Sequence, residues 1–186
     1  MKMKATRQLR DEHEGIMVML RIIENVCKQA ESGERLTIEH FEGILEFLKV
    51  FVDKCHHAKE EVILFPALEA LGIPKEGGPI GVMLHEHALG RGLIKDIDKA
   101  FTEYRNGGKA ALKEVNQSAK EYISLLFNHI GKENNALFVM AESRLSEGQQ
   151  EELYEGFEKI EEERIGTGKH EEFHNMIHTL KNIYWN

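Results

Sequence analysis

The sequence predicts an all-α protein, an up-down-up-down four-helix bundle with two extra helices at its C-terminal end. Three observations predict it. Apolar residues recur at three- and four-residue spacing through four long segments, with no alternating runs. Only three prolines occur in 186 residues. Short glycine-containing breaks separate the segments, and long helices on short connections pack most simply as antiparallel neighbours.

The first helix is expected from about Ala5 to Glu31, with Leu9, His13, Ile16, Met17, Leu20, Ile23 and Cys27 on its apolar stripe. Ser32-Gly33-Glu34 ends it, glycine being suited to the C-terminal turn. Thr37 is placed to cap a second helix, about Ile38 to Leu71, in which Pro66 should introduce a kink. A glycine- and proline-rich loop, Gly72 to Pro79, leads to a third helix, about Ile80 to Arg105. Its stripe carries Leu84, His87, Gly90, Ile94, Ile97 and Phe101. After Asn106-Gly107-Gly108 a fourth helix runs from about Lys109 to Ser143, with Val115, Tyr122, Leu126, His129, Glu133 and Leu137 inward. Ser146 with Gln149 reads as a capping box opening a charged helix, Glu147 to Glu163. A final helix beyond Gly166-Thr167-Gly168 carries Phe173, Met176, Ile177, Leu180 and Tyr184. The expected organisation is a bundle over residues 1–145 and a helical extension over 146–186 that packs on it.

Composition bounds the function. Hydrophobic residues make up 41% and charged residues 30%, as in a soluble globular chain. A net charge of −8 argues against nucleic acid or an anionic membrane as partner. No apolar run is long enough to span a bilayer. The polar start, Met1-Lys2-Met3-Lys4, does not resemble a secretion signal, and Cys27 and Cys55 are too few for a disulfide framework. The expected location is a reducing cytoplasm.

The chemistry lies in a repeat. His56-x-x-x-Glu60 is followed by Leu64-Phe65, and His129-x-x-x-Glu133 by Leu137-Phe138, a shift of 73 residues. Glu12-His13 recurs as Glu86-His87, a shift of 74. Self-similarity at a fixed period is stronger than any single motif. Stepping by helical turns from His56 gives Val52, Leu48, Leu45 and Phe41 one way and Glu60 and Leu64 the other, so this pair shares an apolar stripe. The competing pair, His57 and Glu61, aligns with Asp53 and Lys49 on a polar face, and His85 lies off the stripe of His87. Both swaps stay open on sequence alone.

A histidine on an apolar stripe is commonly a hydrogen-bonded core residue, and a lone His-x-x-x-Glu is commonly a surface pair. The set outweighs those readings: His13, His56, Glu60, His87, His129 and Glu133 lie on the inward stripes of four helices. At one depth they bring together four imidazoles and two carboxylates. Two buried carboxylates repel unless one is protonated or cations intervene. The expected arrangement is two ions about 3.5–4 Å apart, both bridged by the carboxylates and each capped by two histidines. Imidazole with carboxylate suits iron or manganese, and also zinc. His170, His174 and His178 recur every four residues on the last helix, where a solvated face is the plainer reading.

At these motifs the chain resembles the hemerythrin-like, or HHE cation-binding, family over about residues 8–143. The resemblance implies a non-haem di-iron centre with Fe2+ or Fe3+, often oxo- or hydroxo-bridged. In the oxygen-carrying members a second histidine follows the third-helix ligand by four residues, and an aspartate follows the fourth-helix histidine by five; here those positions are Arg91 and Asn134. Four histidines and two glutamates are instead similar to the branch that includes iron-centre repair proteins. The implied function is binding or redox processing of O2, NO or peroxide, in sensing or stress response. The alternatives are a di-iron peroxidase or oxidase, and a non-catalytic iron donor or zinc-stabilised bundle.

Overall fold

The computed structural model describes residues 4–185, which contain no strand. Six helical rods follow in order: α1 (Lys4–Glu31), α2 (residues 38–70), α3 (Pro79–Arg105), α4 (residues 112–144), α5 (Glu147–Arg164) and α6 (Lys169–Tyr184). Among the four long rods, contacts run α1 to α2, α2 to α3, α3 to α4 and α4 back to α1, as in an up-down-up-down square. Helices α5 and α6 lie across the face formed by α1 and α2.

The ends of the rods follow local chemistry. Gly33 takes φ of 98° after α1, a conformation that costs other residues more. Thr37 stands at the start of α2, but its side chain makes no capping bond. Ser146 and Gln149 form the expected reciprocal box: the Ser146 amide donates to Gln149 Oε1 at 2.9 Å, and the Gln149 amide donates to Ser146 Oγ at 3.3 Å.

Rods α2 and α4 are not regular α-helices throughout. Phe47–His57, Glu60–Leu64 and Glu133–Leu137 form wider turns, in which an amide bonds five residues back. The Phe65 amide donates to the Glu60 carbonyl, and the Phe138 amide to the Glu133 carbonyl. As the pattern predicts, α2 stays helical through Pro66, to Ala70. Proline is not the cause of the wide turn, because α4 makes the same turn with Val139 in the equivalent place.

The core is in two parts. One cluster holds Ile16 to Ala30 of α1, Phe41 to Val52 of α2, Ile94 to Phe101 of α3 and Val115 to Ile130 of α4. The other holds Leu9, Leu64, Leu68, Ile80, Leu137 and Phe138, with Leu153 and Phe157 of α5. His13, His56, Glu60, His87, His129 and Glu133 fall between them. Phe157 is fully buried where α5 meets the bundle. Phe157→Ala is expected to destabilise the fold by about 3–5 kcal/mol, read as a lower urea midpoint at unchanged slope.

Candidate metal centre

All six residues singled out in the sequence are buried and converge. His13, His56, Glu60 and Glu133 can each offer one ligand atom within 4.8 Å of the others, and so can Glu60, His87, His129 and Glu133. The two glutamates belong to both groups. Glu133 Oε2 lies 3.2 Å from His13 Nε2, and its Oε1 lies 3.2 Å from His129 Nε2. Glu60 reaches His56 Nε2 at 3.8 Å with one oxygen and His87 Nε2 at 3.4 Å with the other. The histidines pair across the bundle, His13 with His56 at 3.0 Å and His87 with His129 at 3.1 Å between Nε2 atoms.

The far side of each ring fixes its orientation. Nδ1 of His56 lies 2.8 Å from Glu12, that of His129 3.0 Å from Glu86, that of His87 2.7 Å from Glu61, and that of His13 3.0 Å from Asn134 Oδ1. These oxygens only accept, so each Nδ1 must carry the hydrogen that it donates. Burial opposes charge on Glu12, Glu61 and Glu86. Nevertheless their histidines, with Lys59, Arg91 and Lys132 respectively, hold the three carboxyls below the usual range. In the neutral ring each Nε2 is thereby left as a bare lone pair facing inward, the tautomer that a metal requires.

With both carboxyls ionised and the four rings neutral, the centre is lined by acceptors alone. Four lone pairs and two carboxylates face one another, and none of the four glutamate oxygens has a hydrogen-bond partner among the described residues. Burial and the neighbouring Glu133 charge push the Glu60 carboxyl well above its usual range. Burial pushes His56 down to about 4, so it stays neutral. Such a set is costly alone and well matched to cations, which supply what the protein withholds. The donors present fit a pair of metal ions.

The open choices in the sequence are also placed. Glu60 faces the centre, while Glu61 binds the back of His87. His85 is exposed. His57 is not the surface residue that a regular helix predicts. Residues 55–60 are all buried, because the wide turns of α2 and the covering helices enclose the whole circumference. His40 is partly buried, its Nδ1 2.7 Å from the Tyr184 hydroxyl. His170 lies beside Glu161 at 3.1 Å, while His174 and His178 are exposed. Cys27 and Cys55 are free and buried, and burial pushes their thiols up to about 11 and about 12.

The supporting residues went largely unread in the sequence, although the repeat marks them. Lys59 and Lys132 precede the two glutamates by one position, and each binds the acidic residue before a histidine: Lys59 to Glu12 at 2.6 Å, and Lys132 to Glu86. The copies differ in cover. Lys59 is fully buried beneath α5, with Glu161 at 2.7 Å as a second partner, whereas Lys132 is 44% exposed.

The chain belongs to the family described as the hemerythrin HHE cation-binding domain, whose model matches residues 4–141. It is 38% identical over 96 residues to an iron-sulfur cluster repair protein YtfE of Dickeya chrysanthemi (strain Ech1591), and 35% identical over 89 residues to its namesake in Edwardsiella ictaluri (strain 93-146). Each match covers 46% of this chain and 40% of the relative, well under half of the curated proteins. No solved structure gives a significant match.

The Lys59–Glu161 contact yields a pH-dependent expectation. The hydrogen bond from His170, then Lys59, hold the Glu161 carboxyl at about 2 against the opposing effect of burial. A depressed carboxyl stabilises the fold above its unfolded value and ceases to do so as pH falls through its folded one. Glu161→Gln is expected to cost about 1–3 kcal/mol at pH 7. In urea titrations, the gap from the parent should narrow as pH falls from 4.5 towards 2.

Proposed function

We propose that this chain is a di-iron protein of hemerythrin-like type that binds or redox-processes O2, NO or peroxide in a stress or repair response. The observation that carries the reading is the acceptor-only lining of the buried centre. His13 and His56 would hold one ion, His87 and His129 the other, with Glu60 and Glu133 shared between them. Zinc or manganese would meet the same donors, and iron is favoured by the naming of both relatives for iron-sulfur cluster repair.

An iron pair would supply reversible electron transfer and open positions for a small ligand. The protein's share is orientation and exclusion of water. Glu12, Glu61, Glu86 and Asn134 hold the imidazoles with Nε2 inward. Phe138 stacks on His13 with centroids 5.4 Å apart, and Phe65 on His87 at 5.9 Å, closing the layer from one side. Arg10 donates to the Asn134 main-chain carbonyl at 2.8 Å and to its Oδ1 at 3.4 Å, and Arg91 donates to Glu61 at 2.6 Å, so both backing groups are held from outside.

No helix among the described residues is long and apolar enough to cross a membrane. We place the protein in the cytoplasm, with small molecules rather than nucleic acid or lipid as ligands. Glu60→Ala and Glu133→Ala are each expected to lose bound iron, measured by elemental analysis, and to lose metal-dependent thermal stability with it. Full occupancy in both variants would refute the ligand assignment. The iron-loaded protein should change its visible absorption on adding NO or peroxide. An iron protein inert to both would indicate an iron donor, and a colourless zinc protein a structural bundle. Repeated consumption of peroxide would indicate a peroxidase.

A further inference from the structure

One buried imidazole stands outside the six-residue set. His57 is 3% exposed and stacks face to face on His87, with ring centroids 3.8 Å apart and planes inclined by 18°. Neither of its ring nitrogens has a hydrogen-bond partner among the described residues. An unpaired buried polar group costs about 1–3 kcal/mol, so its presence needs a reason.

The repeat shows what the same place holds without one. A shift of 73 residues carries His57 to Ile130, which is buried. It also carries Asp53 to Leu126 and Glu61 to Asn134, while a shift of 74 relates Arg91 to Met17. The first copy therefore builds a polar stripe, Asp53-His57-Glu61, one turn apart on α2. The second copy has Leu126, Ile130 and Asn134. The stripe is tied down from α3: Arg91 donates to Asp53 at 2.6 Å and to Glu61 at 2.6 Å. Glu61 backs His87, and Asp53 Oδ1 lies 3.6 Å from His57 Nδ1. Nδ1 of His57 thus lies on the side of an outer side-chain oxygen, as in the other four rings. His57, His87 and His129 each offer a nitrogen within 4.8 Å of the other two.

We propose that His57 is a fifth imidazole ligand, serving the ion held by His87 and His129, so that the duplicated site binds two inequivalent ions. The inference rests on the two-ion reading of the centre. It assigns three imidazoles to one subsite and two to the other, so that filling proceeds in two steps, with the His57 subsite first. Arg91 and Asp53 act as positioning residues for that extra ring.

The test uses the full chain loaded with zinc. A crystal structure is expected to place a His57 nitrogen about 2.0–2.1 Å from the ion at His87 and His129. An ion bound there with His57 out of reach would overturn this inference and leave the two-ion centre standing. No ion at Glu60 and Glu133 would overturn both. In parallel, His57→Ile copies the residue that the repeat supplies. Its metal-free form should melt at or above the parent temperature, because an unpaired imidazole has been removed. Its tighter zinc affinity should fall by about 10- to 100-fold or more, taking the effect of a ligand's outer partner as the lower bound. Two zinc affinities equal to those of the parent would overturn the proposal, and if the variant fails to fold, the crystal structure decides.

Discussion

The structure turns on a layer of buried acceptors in the middle of its core. Four imidazole lone pairs and two carboxylates meet there, and every hydrogen that the rings carry is spent on outward partners. An apolar cluster lies on each side of this layer. Hydrophobic burial can bring the four helices together, but it cannot make six acceptors attract one another. Cations between them would turn the least favourable layer of the bundle into one that holds it together. Their binding free energy is then part of the folding free energy.

The wide turns are the backbone's answer to the same demand. They fall next to the proposed ligands in both copies, at Glu60–Leu64 and Glu133–Leu137. Each changes the local register so that more of the helix circumference can face inward. The duplication is then broken from outside. Helices α5 and α6 cover α1 and α2, burying Lys59 against Glu12 and Glu161, and the equivalent Lys132 on α4 stays in solvent. Two halves of nearly the same chemistry thus sit in different surroundings.

Much of this was legible in the residues. The four long stripes and their glycine breaks mark the rods to within a few positions, and the echoes at 73 and 74 residues select six side chains that do converge. What could not be read follows from one assumption, the regular helical period. That period turns His57 to the surface, where the wide turn and the cover of neighbouring helices bury it. It also gives no hint that Thr37 would stand at the cap position without a side-chain bond. Glu161 was invisible for another reason: its partner Lys59 lies about a hundred residues away, and only tertiary packing joins them.

The most direct measurement is the melting temperature of the chelator-treated protein, titrated with iron(II) under anaerobic conditions. A layer of acceptors held together by two ions predicts a low starting value that climbs steeply and levels off at two equivalents per chain. A melting temperature that does not respond to metal would contradict the account, because the six groups would then be stable without cations between them.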